Sequence, residues 1–530
     1  MRFRSRRSNV MARNGMVATS QPLAAMAGLR ILMDGGNAVD AAVATAATLA
    51  VVEPHSTGVG GDVFALVRMA ADGQVRALNA SGRAPAAVSR EQLLRQGLTS
   101  VPELSPFAIT VPGAVSGWQA ALNAHGSMSL SDVLKPAIEY ASKGYPVSEV
   151  ISTAWETSVE KLHAHPSGKA YLSNGGAPNA REVFGMPDLA RTLQSIAEGG
   201  AEAFYTGPVA ERTAGFVQEL GGWLTVDDMA RHCADWVKPI STDYRGVQCW
   251  QVPPNSQGVN LLMGLNLVEG FDLASMGLQS PATYHHLIEC VRLALDDGLR
   301  HVTDPAHMAA SSDWLLSKDR AKERRAMISA DRAMLEIEPS LTTTQDDTVY
   351  ITCVDGQGNA CSLINSIFKG FGSGLVVPET GILLHNRGAS FSLDEAHVNA
   401  LEPGKRPYHT LMPGMVTRNG ELWLCYGLMG AMQQAQGHLQ VLVNMIDFAM
   451  DPQSALDSPR FSVRLGEGVA IEDIAGGEVA GDLRGLGHPI TVEPPHGVHF
   501  GGGQIIERDP ETGVLTGGSE PRLDGAAVGW

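Results

Sequence analysis

Thr348 stands where a polar segment gives way to an apolar, β-branched one. Residues 339–347 are rich in Ser, Thr and Asp, which predicts an exposed loop, and residues 348–354 read Thr-Val-Tyr-Ile-Thr-Cys-Val, which predicts a strand. If the chain were cut before Thr348, this residue would carry both a hydroxyl and a free α-amine, a nucleophile together with its base. The alternative is a strand that merely begins with threonine, because β-branched residues are common in strands.

The segments around this threonine extend the pattern. Asp-Gly-Gln-Gly-Asn at 355–359 predicts a hairpin turn, and residues 360–367 predict the returning strand. Further motifs lie at 35–42 (Gly-Gly-Asn-Ala-Val-Asp-Ala-Ala), 58–62 (Gly-Val-Gly-Gly-Asp), 371–374, 379–387, 403–407 (Pro-Gly-Lys-Arg-Pro) and 524–527 (Asp-Gly-Ala-Ala). In this order, and across almost the whole chain, they closely resemble the γ-glutamyltransferase family of N-terminal-nucleophile hydrolases.

The resemblance implies an α/β (α+β) fold, a four-layer αββα sandwich with two central antiparallel sheets. It also implies autocatalytic cleavage between Asp347 and Thr348. The products would be a large subunit, residues 1–347, and a small subunit, residues 348–530, that together form one intertwined domain. A homodimer of such heterodimers is a further expectation of the resemblance, and the oligomeric state stays open.

The resemblance also assigns roles. The Thr348 hydroxyl would attack the carbonyl of a small amide, and its α-amine, with a pKa of about 7.7–8.0, would accept the proton. The acyl-enzyme would then pass its acyl group to water or to an acceptor amine. Ser366 would supply a second hydroxyl beside the nucleophile, and the N–H groups of Gly430 and Ala431 would form the oxyanion hole. The alternatives are a solvated strand hydroxyl for Ser366 and an ordinary turn for the Gly430 segment.

Several positions depart from the glutathione-processing members of the family. Ser81 takes the place of the arginine that clamps the glutamyl α-carboxylate, and Arg83 is the nearest arginine. Arg387 lies where acidic residues would hold the α-amine. Phe368 replaces an asparagine, and residues 409–410, His-Thr, replace a double serine.

Arg387 would repel an ammonium group but could form a forked pair with a carboxylate. The candidate substrate-binding residues are therefore Arg387, Arg83, Ser390, His409 and Thr410. Three functions stay open: a γ-glutamyl amide hydrolase or transferase, an oxamate-type hydrolase of small carboxylate-bearing amides, and an unprocessed, non-catalytic binding protein on the same scaffold. For Arg387 the alternative is a surface ion pair.

Composition excludes several partners. The 530 residues carry a formal net charge of −17, and the Arg residues at positions 2–7 are the only basic tract, so nucleic-acid binding is not expected. The hydrophobic fraction of 44% and the charged fraction of 18% are typical of a well-buried globular core. No apolar segment follows the N-terminal arginines, so a cytoplasmic protein without a membrane partner is expected; Met11 and Met16 are alternative starts.

Cofactor and metal sites are not expected, because the six cysteines have no Cys-x-x-Cys spacing and no partnering histidines. Cys353 and Cys361 flank the predicted hairpin turn and are interpreted as buried thiols. His285 and His286 are expected on an ordinary helix surface. The glycines at 58–61 lack the lysine of a phosphate-binding loop and are expected to pack near the nucleophile. No Gly-x-Ser-x-Gly elbow supports a Ser/His/Asp hydrolase.

Overall fold

A computed structural model describes residues 7–334, 348–495 and 497–530. Asp347, on one side of the predicted cleavage point, lies outside these residues. In the described part of the chain the strands are β1 (Val10–Ala12), β2 (Gly15–Thr19), β3 (Asp62–Arg68), β4 (Val75–Ala80), β5 (Tyr145–Pro146), β6 (Val183–Phe184), β7 (Asp235–Val237), β8 (Ile240–Tyr244), β9 (Val247–Gln251), β10 (Val349–Asp355), β11 (Ala360–Ser366), β12 (Val376–Val377), β13 (Ile382–Leu383), β14 (Gly414–Arg418), β15 (Glu421–Met429), β16 (Phe461–Arg464), β17 (Gly468–Glu472), β18 (Ile490–Glu493), β19 (Gly502–Arg508), β20 (Leu515–Ser519) and β21 (Ala526–Gly529).

The α-helices of the same residues flank these strands. They are α1 (Pro22–Met33), α2 (Ala38–Val52), α3 (Arg90–Arg95), α4 (Ala114–His125), α5 (Leu130–Lys143), α6 (Glu149–Glu156), α7 (Val159–His163), α8 (Pro187–Gly199), α9 (Glu202–Tyr205), α10 (Gly207–Glu219), α11 (Val226–Ala230), α12 (Gly258–Val268), α13 (Leu273–Met276), α14 (Pro281–His301), α15 (Ser312–Leu315), α16 (Lys318–Arg325), α17 (Gln433–Ile446), α18 (Pro452–Asp457) and α19 (Gly477–Gly485).

Two seven-stranded sheets form the centre of the molecule. One has the order β1-β20-β19-β15-β14-β9-β8 and the other β21-β2-β10-β11-β3-β4-β7. Within each of these sheets neighbouring strands are antiparallel. Each sheet combines strands from before and after position 348. In one sheet β10 and β11 lie between β2 and β3, and in the other β20, β19, β15 and β14 lie between β1 and β9.

Apolar side chains fill the space between the sheets, among them Met16, Phe64, Tyr350, Met415 and Ile506. Helices α1, α2 and α4 cover the outer face of the sheet that contains β10, and α5 packs on α2. Helices α12, α17 and α18 cover the other sheet, and α14 packs on α12. The four-layer αββα arrangement is therefore confirmed.

Local sequence explains the elements next to the site. Helix α2 is Ala- and Val-rich, is buried along its whole length, and begins with a capping box in which Asn37 and Asp40 satisfy each other's backbone N–H groups. Strands β10 and β11 are buried at every position, and the turn between them places Cys353 opposite Cys361 as free, buried thiols. Burial raises the pKa of both thiols.

One expectation about a helix is wrong. His285 and His286 do not lie on an exposed helix surface. Helix α14 is packed in the hydrophobic core beside the sheet that contains β15, and the two residues are 0% and 6% exposed. Helices α12 and α19 and strand β16 pack on α14, so distant parts of the chain bury both residues. In the part of the chain that the structure describes, no helix is both long and apolar enough to span a membrane.

Candidate active site

The hydroxyls of Thr348 and Ser366 meet at one end of a strand pair. Thr348 directly precedes β10, and the antiparallel register that pairs Val349 with Asn365 places it opposite Ser366. The Thr348 hydroxyl donates to Ser366 Oγ at 3.2 Å, and the two residues are 1% and 0% exposed. The sheet therefore brings together two hydroxyls that are separated by 18 positions in the chain.

Ser366 is fixed from two sides. The backbone N–H of Phe368 donates to its Oγ at 2.8 Å. The glycine loop at 58–61 passes so close that a Cβ on Gly61 would lie 2.3 Å from the Ser366 carbonyl oxygen. Only glycine permits this approach, so these glycines serve close packing beside the Thr348–Ser366 pair.

Gly430 and Ala431 follow β15 and line the same cleft as Thr348. Their φ angles are +120° and +53°, and the positive φ of Ala431 is a strained conformation for a residue with a Cβ. The Gln257 side chain holds this turn by donating to the Ala431 carbonyl at 2.8 Å and the Thr410 carbonyl at 2.6 Å. Among the described residues nothing accepts a hydrogen bond from the N–H of Gly430 or Ala431. Two such N–H groups beside a nucleophile are suited to stabilise an oxyanion.

Thr348, Gly430 and Ala431 all line one cleft of about 1080 Å³. His55 lines it as well, with its ring centroid 6.3 Å from that of Phe371. Lys369 also reaches the cleft and forms an ion pair with Glu103. Sequence reasoning missed Lys369 and Glu103, because they come from loops 266 positions apart and share no local motif.

Arg387 lies behind the Thr348–Ser366 pair. It begins a short 3-10 turn and is 0% exposed. Its guanidinium donates to the Thr410 hydroxyl at 3.0 Å, and its Cζ lies 4.0 Å from the centre of the Phe368 ring. The alternative of a surface ion pair is therefore wrong for Arg387. Phe368 therefore links the Thr348–Ser366 pair to the buried positive charge of Arg387.

The His409 side chain faces away from the cleft. Its Nδ1 accepts from the Leu411 N–H at 3.3 Å, so its Nε2–H donates to Asp62 Oδ2 at 3.1 Å. Burial, together with the Arg387 charge, lowers the pKa of His409 to about 3. Burial alone would raise the pKa of Asp62. The charges and hydrogen bonds of His385 and His409 outweigh burial and hold this pKa well below its usual range. His385 Nδ1 lies 3.4 Å from the same carboxylate.

None of the five predicted substrate-binding residues is among the described residues that line the cleft. The Ser390 hydroxyl donates to the Arg387 carbonyl at 2.8 Å and the Tyr408 carbonyl at 3.2 Å, so it ties two backbone segments together. Arg83 pairs with Asp304 at 3.0 Å, and its side chain is 46% exposed. Among these five residues, Arg387 contacts Thr410 through its guanidinium and Ser390 through its carbonyl.

Comparison with known proteins decides the family. The family model described as gamma-glutamyltranspeptidase matches residues 24–530. The chain belongs to the gamma-glutamyltranspeptidase family.

Relatives within this family align with almost the whole chain. It is 40% identical to the glutathione hydrolase-like YwrD proenzyme of Bacillus subtilis (strain 168), over 98% of this chain and 99% of the relative. It is 33% identical to the oxamate amidohydrolase proenzyme of Klebsiella pneumoniae subsp. pneumoniae, over 99% of this chain and 100% of the relative. Among solved structures, cephalosporin acylase from Bacillus halodurans superposes with a TM-score of 0.94 at 44% identity, covering 100% of this chain and 98% of the other. As a gamma-glutamyltranspeptidase family member, the chain is placed among hydrolases and transferases of amide bonds.

Proposed function

We propose that the protein is a self-processing amidohydrolase or acyltransferase with Thr348 as its N-terminal nucleophile, acting on a γ-glutamyl or similar small amide. The observation that carries this proposal is the 3.2 Å contact between the Thr348 and Ser366 hydroxyls in a cleft that Gly430 and Ala431 also line. These residues comprise a nucleophile, a hydroxyl partner and two backbone donors.

Processing would use the same hydroxyl. Thr348 Oγ attacks the carbonyl carbon of Asp347, the Asp347–Thr348 C–N bond breaks, and an ester forms while the proton passes to the freed amine. Water then hydrolyses the ester, which leaves an Asp347 carboxylate and a free Thr348 amine. The relatives named above as proenzymes support this order of events.

Turnover would repeat the chemistry on a substrate amide. Thr348 Oγ attacks the amide carbon, its α-amine takes the hydroxyl proton, and the developing oxyanion accepts hydrogen bonds from Gly430 and Ala431. The leaving amine takes that proton as the C–N bond breaks. Water or an acceptor amine then attacks the acyl-enzyme, and Thr348 Oγ is regenerated.

Electrophoresis and N-terminal sequencing test processing. A processed protein gives bands of about 37 and 19 kDa, from a chain of 56.1 kDa cut before residue 348. The smaller band begins Thr-Val-Tyr. A single full-length band that persists through long incubation favours the alternative of a non-catalytic scaffold.

A second candidate function is hydrolysis of small carboxylate-bearing amides of the oxamate type. The buried Arg387, donating to Thr410, favours it, because a guanidinium attracts a carboxylate and repels an ammonium group. Initial rates with oxamate and with γ-glutamyl-p-nitroanilide separate the two functions. Faster turnover of oxamate supports the second, and faster turnover of the glutamyl donor excludes it.

A further inference from the structure

Three buried side chains form a cluster that does not line the Thr348 cleft. His285 and Glu289 lie one helical turn apart on α14, and His488 follows α19. They are 0%, 0% and 2% exposed. One potential ligand atom from each lies within 4.8 Å of the others. Position 348 falls between α14 and His488 in the chain, so the cluster joins the two proposed subunits.

Hydrogen bonds fix where the protons of the two imidazoles lie. His285 Nε2 faces the Ser329 carbonyl at 2.7 Å, and a carbonyl can only accept, so this nitrogen carries the hydrogen. In a neutral ring, His285 Nδ1 is then an acceptor. It lies 2.7 Å from His488 Nε2, which must therefore be the donor. The remaining nitrogen, His488 Nδ1, presents a lone pair.

That lone pair faces a second one. Glu289 Oε1 lies 3.7 Å from His488 Nδ1, and among the described residues neither atom has a hydrogen-bond partner. The other carboxylate oxygen, Oε2, accepts from the Met334 N–H at 3.0 Å. Two electron-pair donors that face each other in a buried space repel unless a metal ion or a proton lies between them. The separation is too long for a direct hydrogen bond but fits two ligands that are each about 2.0–2.1 Å from one ion.

We propose that His488 Nδ1 and Glu289 Oε1 bind one divalent transition-metal ion of the zinc class. An imidazole nitrogen with a carboxylate oxygen is a donor pair that suits Zn²⁺. His285 acts as a positioning residue, because a metal-bound histidine commonly donates its other N–H to a fixed acceptor. The chain from His488 through His285 to the Ser329 carbonyl has this form.

Arg292 is the charged group that opposes the ion. Its NH1 lies 3.7 Å from Glu289 Oε1 and also donates to the Met334 carbonyl. At that distance it is an ion pair without a hydrogen bond, so the oxygen keeps a lone pair for a ligand. The arginine charge still repels a cation, and its removal should strengthen binding of the metal.

Metal content is the direct test, and it does not depend on activity. Protein without a histidine tag is purified from zinc-supplemented cells without chelators, and its metals are measured by mass spectrometry. We expect about one Zn²⁺ per chain in the wild type, and its loss in Glu289→Gln and in His488→Ala. The matched control is His286→Ala, on the same helix and also buried, whose Nδ1 contacts the Ala282 carbonyl instead. It should keep the zinc.

Two further measurements keep the proposal testable if a variant fails to fold. Wild-type protein exchanged with Co²⁺ should show visible d–d absorption, and Arg292→Met should bind Zn²⁺ at least about tenfold more tightly. Absence of zinc from the wild type together with absence of Co²⁺ absorption overturns the proposal. Unchanged zinc content in both ligand variants would also overturn it. A nitrogen NMR spectrum that shows His488 doubly protonated would do the same, because a proton would then occupy the place of the metal ion.

Discussion

Thr348 and Ser366 lie on neighbouring strands of one sheet, whereas Arg387 enters the same region from a short 3-10 turn. The hydroxyl pair is positioned by strand register, which any residues of similar shape would preserve. The arginine is positioned by individual contacts with Thr410 and Phe368. Under the proposed function, the reaction would therefore depend on the backbone, while the choice of acyl group would depend on side chains that can change without disturbing the sheet.

The largest expected effect comes from removing the nucleophile. Thr348→Ala should abolish processing and lower kcat/KM by at least about 1000-fold, since the attacking hydroxyl is lost. Electrophoresis and initial rates measure both. Thr348→Ser keeps a hydroxyl and should still be cleaved; cleavage in the alanine variant would refute Thr348 as the nucleophile.

Arg387 tests the other half of the comparison. Arg387→Met should lower kcat/KM for a carboxylate-bearing amide by about 10- to 100-fold, because a charge-assisted hydrogen bond is lost. A matching amide without the carboxylate should lose far less. Arg83→Met is the control, since Arg83 makes a half-exposed ion pair with Asp304, and we expect less than a twofold change. Equal losses for both amides would assign Arg387 a purely structural role.

Ser366 should give a smaller effect. Ser366→Ala removes the acceptor of the Thr348 hydroxyl, and one such hydrogen bond corresponds to about a tenfold loss in kcat. Ser366→Thr restores the hydroxyl and should restore the rate. A wild-type rate in the alanine variant would mean that the strand register alone orients Thr348.

The last effect concerns stability at low pH and not the catalytic rate. The pKa of His409 is lowered from 6.5 to about 3, so below pH 6.5 the unfolded chain binds a proton that the folded chain does not. Stability is therefore complete above pH 6.5 and falls as the pH drops toward 3, by at most about 1.4 kcal/mol per pH unit for this group.

Urea midpoints at pH 7 and pH 5 measure this loss. His409→Asn should show a smaller decrease than the wild type. Other buried histidines such as His438, whose burial lowers its pKa to about 3, contribute equally in both proteins. An identical decrease in wild type and variant would contradict the assignment of the low pKa to His409.

The β10–β11 hairpin could be predicted from the residues themselves, because it depends on one short turn between two apolar runs. The sandwich and the place of Ser366 beside Thr348 were implied by the family resemblance. Sequence reasoning favoured Arg387 over Arg83 but did not show what the predicted substrate-binding residues contact. The partner of Arg83 is Asp304, 221 positions away, and that of His409 is Asp62, 347 positions away. Only the folded chain brings such residues together, and the burial of His285 and Glu289 depends equally on distant packing.

In both sheets, strands from before position 348 lie beside strands from after it. This arrangement limits how well the two parts could be expressed from separate genes. Each product alone would expose unpaired edges where the missing strands belong, a state prone to aggregation. Such a split design should give insoluble halves unless both are synthesised together, whereas folding before the proposed cleavage would avoid this difficulty.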